Sequence, residues 1–278
     1  MTYSVLMSVY ESDPPEYLAD ALNSIYRDQT KKPDEIVIVE DGPVPDEITE
    51  VIKAFSDEVH SEGTATVKVV GLKKNVGLGA ALKEGTKYCT GDYIFRMDSD
   101  DLSVPERFKI MSECLEKHPE IDVLGSDIGE FADDPETVIR KRVCPPNMNG
   151  ILKMCRSRNP MNHVSVAIRR ESLIKAGGYA PLLLIEDYYL WVRMLAKGMK
   201  LANINKTLVK VRIGNGFDNR RGSTDRVRSW KKLQNYMLDH GMISRPRALL
   251  NMIFIRLFVY SPSGLKHILY GKLLRKRK

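Results

Sequence analysis

The sequence predicts an α/β fold in which a mostly parallel central sheet is flanked by helices. Two observations carry that prediction. Short β-branched apolar runs alternate with stretches whose apolar residues recur at helical spacing, the order that builds βαβ units. One of those runs, Tyr93-Ile94-Phe95-Arg96-Met97, leads straight into Asp98-Ser99-Asp100-Asp101. A buried strand thus delivers three carboxylates in four residues to the carboxyl edge of a sheet, where open α/β folds bind their ligands.

The elements follow in order. Ser4-Val5-Leu6-Met7-Ser8-Val9-Tyr10 has strand length and composition, and Glu11-Ser12-Asp13-Pro14-Pro15 breaks it. From Glu16 onward Leu18, Ala21, Leu22 and Ile25 fall at helical spacing, and Pro33 stops the helix. Glu35-Ile36-Val37-Ile38-Val39 is a second strand closing on the turn Glu40-Asp41-Gly42-Pro43. A helix over 48–55 and a strand over 66–72 repeat the unit. Asn75-Val76-Gly77-Leu78-Gly79-Ala80-Ala81 then joins small residues to a helix running to about 88. Bare backbone there can approach a phosphate or ribose, or serve packing alone. After the strand into Asp98, Ser103 reads as the cap of a helix over 105–118 with Glu106 in the capping-box position, and a strand over 121–126 follows.

Composition narrows the partners. With 43% apolar and 28% charged residues among 278, the chain can bury a large core. Cys89, Cys114, Cys144 and Cys155 form neither a C-x-x-C pair nor a zinc spacing and follow no secretory signal, so they read as reduced thiols of a cytoplasmic protein. The formal charge of +7 is localised: residues 245–278 hold nine Lys/Arg and no Asp/Glu, leaving 34 basic against 36 acidic residues before them. This speaks against nucleic acid as a partner of the globular part and for attraction of the C-terminus to an anionic surface. Three ionised carboxylates in one turn repel one another unless a cation neutralises them, and hard oxygen ligands suit Mg²⁺ or Mn²⁺. Asp and Ser are also ordinary turn and cap residues, so the motif alone leaves both readings open.

Taken together, the first strand, Val39-Glu40-Asp41-Gly42, Asn75-x-Gly77 with its Ala-rich helix, and Asp98-x-Asp100-Asp101 resemble the successive motifs of family 2 glycosyltransferases, which have the GT-A fold. Asn162-His163-Val164-Ser165-Val166-Ala167-Ile168-Arg169-Arg170 resembles that family's acceptor-side strand, and Glu186-Asp187-Tyr188-Tyr189-Leu190-Trp191 its Glu-Asp segment. The resemblance covers roughly 3–215 and is nearest to bacterial O-antigen, capsule and exopolysaccharide repeat-unit transferases. It implies a catalytic domain over 1–215, with a nucleotide-binding half to about 130 and an acceptor half over 131–215, followed by a basic loop and membrane-surface helices over 216–278.

The resemblance also implies roles. Val9, Tyr10, Glu11 and Asp41, with Asn75 and Gly77 nearby, would hold the base and ribose of a UDP-sugar, and Asp98 would sit against the ribose. Asp100, with Asp101, would hold the Mn²⁺ or Mg²⁺ that bridges the diphosphate, and Asp187 would be the base that takes the acceptor's proton. Asp187 also reads as a helix N-cap. Glu186 and His163 fit contacts to acceptor or diphosphate, as do Arg212, Arg220 and Arg221, against the alternatives of a hydrogen-bonded structural histidine and a solvated basic loop. The Gln-x-x-Arg-Trp motif of processive synthases is missing, the nearest sequence being Arg226-Val227-Arg228-Ser229-Trp230, so one sugar is added per acceptor.

The tail alternates apolar blocks around Arg256 over 247–260, too short for a bilayer crossing of ~20 apolar residues. With 265–274 and the closing Arg-Lys-Arg-Lys it reads as amphipathic helices lying on anionic lipid, or packing on the catalytic domain. The expected protein is peripheral on the inner face of the cell membrane, and its acceptor a polyprenyl-diphosphate-linked sugar. Two other classes fit the acidic cluster: a metal-dependent nucleotidyltransferase or phosphotransfer enzyme, and a non-catalytic membrane-surface scaffold.

Overall fold

A computed structural model of the chain describes residues 1–213, 224–261 and 276–277. Strands β1 (Tyr3–Val9), β2 (Glu35–Glu40), β3 (Thr66–Gly71) and β4 (Tyr93–Asp98) pair in parallel in the order β3-β2-β1-β4. Helices α1 (Pro15–Ile25), α2 (Asp46–Glu62) and α3 (Leu78–Thr86) are the crossovers. In register, Ser8 lies opposite Asp98, Val9 opposite Glu40 and Glu40 opposite Gly71. All four strands therefore end on one edge, and the residues that follow each of them form a single row of loops.

Beyond β4 the sheet becomes mixed. The chain continues through β5 (Leu102–Ser103), α4 (Arg107–Lys117), β6 (Val123–Phe131), β7 (Arg140–Arg142), α5 (Met148–Cys155), a single 3₁₀ turn over His163–Ser165, β8 (Ala167–Arg169), α6 (Arg170–Lys175), α7 (Glu186–Ala196), β9 (Leu201–Arg212), α8 (Thr224–Asp239), α9 (Arg245–Tyr260) and β10 (Lys276–Arg277). Strand β8 runs antiparallel between β4 and β6, while β9 lies parallel to β6.

Side-chain alternation splits the core into two layers. Val5, Met7, Val9, Ile36, Ile38 and Phe95 pack with residues of α1, α2 and α4, such as Leu18, Ile48 and Phe108. Leu6, Val37, Val39 and Ile94 pack with residues of α3 and α7, such as Leu82, Leu190 and Trp191. Burying each large side chain contributes roughly 1.5–3 kcal/mol. Leu233, Met237, Ile243 and Ala248 extend the second layer, so α8 and α9 share a core with the residues before them. Asn251 of α9 fastens this packing by donating to the carbonyl of Arg156 and to Gln234 Oε1, both at 2.7 Å.

Several expectations need correction. Ser103 does not cap a helix: it belongs to β5, where it pairs with Val209 and donates its N–H to Ser24 Oγ at 3.0 Å. Helix α4 starts at Arg107 behind Glu106, with no side-chain cap. The strand expected over 121–126 runs on to Phe131, because β9 pairs with its whole length. Only 167–169 of the acceptor-side segment is strand. Its polar start turns instead, since Asn162 donates to the Ser126 carbonyl at 2.8 Å and Ser165 Oγ accepts the Ser126 N–H at 3.0 Å.

Helix α9 is apolar on both sides. Ala248, Asn251, Ile255 and Val259 face inward, while Leu249, Phe254, Leu257 and Tyr260 are each more than 60% exposed. No helix among the described residues is long and apolar enough to cross a membrane. The helix expected over 265–274 lies outside the described residues. Of the closing basic residues, Lys276 and Arg277 pair with β7, whose edge offers unsatisfied backbone groups. All four cysteines are free.

Candidate active site

The row of loops after the parallel strands is interlocked by its own acids. Asp41, buried just beyond β2, accepts the N–H of Val76 at 2.7 Å and that of Gly77 at 2.9 Å. It clasps the segment after β3, and Asn75 Oδ1 accepts a third bond, from the Gly77 N–H at 3.1 Å. Gly42 must be glycine for this clasp to close. Its φ is +94°, and a Cβ there would lie 2.6 Å from the Asn75 nitrogen. At the end of β1, beside Val9 and Glu11, the Tyr10 N–H donates to Asp13 at 3.1 Å. Ser99 Oγ donates to the same oxygen at 2.7 Å, which joins the exits of β1 and β4.

Asp98, Asp100 and Asp101 each bring one carboxylate oxygen within 4.8 Å of the others. Asp98 is ion-paired with Arg96, a buried residue of β4. Asp101 accepts the Arg212 N–H at 2.9 Å, while Arg212 Nε donates to the Asp100 carbonyl at 3.3 Å. The Arg212 guanidinium lies against Tyr17 and Phe131, 3.8 and 4.8 Å from their ring centroids. Arg212 therefore shapes the acidic turn from behind. Burial, with Asp98 and Asp13 nearby, pushes Asp100 up to about 6, and burial with Asp98 and Asp100 drives Asp101 well upward. An all-oxygen donor set short of positive charge is what a hard divalent cation fits.

The second acid group comes from α7. The chain passes through Leu184 in a left-handed conformation, φ +67°, a strained geometry for a side chain of this kind. Ile185 is the N-cap without a side-chain bond, so Asp187 stands inside the first turn and is not the cap. The Asp187 carboxylate accepts from Asn159 Nδ2 at 2.5 Å and from the Tyr188 N–H at 2.6 Å. Burial raises its pKa, and the Tyr188 bond and the Arg142 charge act in the opposite direction. Glu186 packs over Gly79 of α3, its Cβ only 3.1 Å from where a Cβ on Gly79 would sit. Burial first, then Asp187, raises Glu186 to about 7.

His163 shares a hydrogen bond between Nε2 and the Tyr179 hydroxyl at 2.8 Å, and its ring meets the edge of Trp191. Burial, with Arg96 nearby, pulls its pKa well down, so the imidazole is neutral. Arg220 and Arg221 lie outside the described residues.

Arg96 was not among the expected residues. Its charge favours the ionised forms of Asp100, Asp101, Glu186 and Asp187 alike. Burial opposes charge on Arg96, but Asp98 outweighs it and raises the pKa. Its Nε and Nη1 have no hydrogen-bond partner among the described residues. A lone arginine in the middle of an apolar strand was the available signal. Arg107, also buried, donates to the carbonyls of Arg96 at 2.8 Å and Val164 at 3.1 Å, holding β4 against the 3₁₀ turn. Asp13 and Asn159 gave no pattern of their own.

Known proteins provide an independent comparison. The model of glycosyl transferase family 2 matches residues 4–178. An uncharacterized glycosyltransferase of Haemophilus influenzae is 36% identical across 99% of this chain and 100% of its own length. The UDP-Gal:alpha-D-GlcNAc-diphosphoundecaprenol beta-1,3-galactosyltransferase of Escherichia coli is 35% identical across 99% of this chain and 97% of its own. Among solved structures, Staphylococcus aureus TarS 1–349 in complex with UDP-GlcNAc has a TM-score of 0.69 at 17% identity, covering 99% of this chain and 76% of that one. That likeness speaks for the fold alone.

Proposed function

The chain belongs to glycosyl transferase family 2 and has the GT-A fold, and from that premise we propose that it moves one hexose from a UDP-sugar to a polyprenyl-diphosphate-linked sugar with inversion. The observation that carries this reading is that Glu186, packed over Gly79 just beyond the Asp41-clasped Gly77, brings a second acidic group at the start of α7 to the edge that carries the Asp98, Asp100 and Asp101 cluster. A single displacement needs those two functions on opposite sides of the transferred sugar.

In the first function, a Mn²⁺ or Mg²⁺ ion held by Asp100 and Asp101 would offset charge on the departing diphosphate. Asp41 shapes the nucleoside site through its clasp on Val76 and Gly77, with Val9, Tyr10, Glu11 and Asn75 around the base and Asp98 at the ribose. In the second, Asp187 accepts the acceptor's hydroxyl proton as that oxygen bonds to the sugar's anomeric carbon. The bond from that carbon to the diphosphate breaks, and its electron pair leaves with UDP. Asn159 holds the base in line.

Galactose or glucose is the favoured donor sugar, and GlcNAc-diphospho-undecaprenol, with a β-1,3 linkage, the favoured acceptor. The E. coli relative named for that reaction, similar across nearly the whole of both chains, supports this choice. The product is a lipid-linked intermediate in the synthesis of an O-antigen, capsule or exopolysaccharide repeat unit. The exposed apolar side of α9, with the nine basic and no acidic residues from 245 onward, supports a peripheral position on the anionic inner face of the membrane.

The test is a donor screen with purified protein, UDP-, GDP- and dTDP-sugars and a GlcNAc-diphosphate-lipid acceptor, with product linkage read by NMR. Transfer from UDP-galactose or UDP-glucose to the 3-hydroxyl, abolished by EDTA and restored by Mn²⁺ or Mg²⁺, is expected. Transfer of a nucleotidyl group, or none from any UDP-sugar, overturns the reading.

A further inference from the structure

Two guanidinium groups border Asp187 and have no part in the roles above. Arg142, the last residue of β7, donates from Nη2 to the Asn159 carbonyl at 2.8 Å, and the side chain of the same Asn159 holds Asp187. Its charge is felt at Asp187. Arg226, in the first turn of α8, is half-buried beside the ring of Phe258 in α9, 5.9 Å from the centroid. Asp187 and Glu186 both act on its charge. Helix α8 is held beside the start of α7 by Trp230, whose ring lies 5.8 Å from that of Tyr188, the residue after Asp187.

What lies next to them narrows the ligand. Phe258 belongs to the helix whose outer side exposes Leu250, Phe254 and Leu257. Positive charge beside the base, followed by an apolar track, has the layout of a charged head group with a hydrocarbon tail. The acceptor presents its hydroxyl to Asp187 and carries its own diphosphate on the far side of one sugar ring. That diphosphate is not a leaving group. It requires binding without activation, for which guanidinium forks suffice and a second cation is unnecessary.

We propose that Arg142 and Arg226 seat the diphosphate of the lipid-linked acceptor, with its hydrocarbon chain leaving along the exposed side of α9. The proposal rests on the acceptor class inferred above and extends it to particular residues.

The experiment compares two acceptors that share one lipid chain, GlcNAc-diphosphate-lipid and a GlcNAc glycoside without phosphate, in wild type and in Arg142→Gln and Arg226→Gln. Wild type should prefer the diphosphate acceptor. Each variant should raise its KM about tenfold, the scale of one charge-assisted hydrogen bond, and shrink that preference, while the KM for UDP-sugar moves less than about twofold. Competitive inhibition by dodecyl diphosphate should weaken in parallel. Lysine variants, which keep the charge and lose the fork, should weaken the diphosphate acceptor less, and they carry the test if a glutamine variant no longer binds UDP-sugar. Variants that keep the wild-type preference, or lose turnover equally on both acceptors, overturn the proposal. Equal use of both acceptors by wild type overturns it while sparing the transferase. Transfer by wild type to neither acceptor removes the acceptor reading and the proposal together.

Discussion

The two sides of the site are both acidic, and they are built in opposite ways. On the edge of the parallel strands, each acid lies at a strand's end or in the short loop after it. Asp41 clasps Val76 and Gly77, Asp13 ties Tyr10 to Ser99, and Arg212 braces the turn of Asp100 and Asp101 from outside. On the α7 side the acids open a helix, and apart from the Tyr188 N–H their supports come from elements other than α7. Asn159 reaches Asp187 across 28 residues, Gly79 of α3 makes room for Glu186, and Arg142 and Arg226 arrive from β7 and α8. Charge is handled differently as well. The strand edge holds more carboxylate than cation and fits a metal ion, whereas the α7 side is supplied with guanidinium groups from the chain itself.

This contrast predicts that damage on the α7 side separates chemistry from donor binding. Asp187→Asn keeps the shape of the side chain and its contact with Asn159, yet cannot take a proton. Turnover should fall by at least ~10²-fold, the ordinary worth of a general base, with UDP-sugar affinity retained. Steady-state kinetics with calorimetric titration of UDP separate the two quantities. Undiminished turnover would remove Asp187 from the mechanism and dissolve the contrast.

Damage on the strand edge should instead appear as lost stability together with lost nucleotide affinity, because clasp and binding loop are one object there. Gly42→Ala introduces a Cβ at φ +94°, 2.6 Å from the Asn75 nitrogen. Backbone strain and the forced shift should cost roughly 2–3 kcal/mol in chemical denaturation and weaken UDP binding with it. An alanine variant of wild-type stability that binds UDP normally would show that the loop does not depend on this turn.

The same contrast explains what could be read from the chain beforehand. A parallel strand and the acid after it are neighbours in sequence, so the approach of Asp98, Asp100 and Asp101 follows from local pattern alone. The pairing of Asp41 with Gly77 was half legible: both residues stood out, but as ligand contacts, whereas the fold uses Asp41 to hold the loop. On the α7 side local pattern misled. Asp187 precedes a helical stretch and reads as a cap, yet the helix begins one residue earlier, and the carboxylate is oriented by Asn159. Ser103 had every local mark of a cap and was claimed by pairing with β9. Arg226 belonged to a segment read only for the motif it lacked. Residues whose roles are set by long-range packing have no periodicity to betray them.

Glu186 gives the finest test, because its pKa reports how closed the α7 side is. Burial and the adjacent Asp187 raise it to about 7 from an ordinary value of 4.5, so the folded protein holds that proton more tightly than the unfolded chain does. Stability from this group is fully present below about 4.5 and is lost as pH rises through about 7. A shift of this size on a fully enclosed group would correspond to ~3 kcal/mol; partial exposure of Glu186 reduces the expectation to roughly 1–2 kcal/mol. Glu186→Gln has the same shape, fits the same space over Gly79 and carries no charge at any pH. It should exceed wild type by that amount at pH 8, and the difference should fade toward pH 5. Asp100 and Asp101 titrate in both proteins, so the difference between the two denaturation curves isolates Glu186 and its coupling to Asp187. Parallel curves across that range would mean that water reaches the start of α7 freely, and that the α7 side is as open as a surface helix.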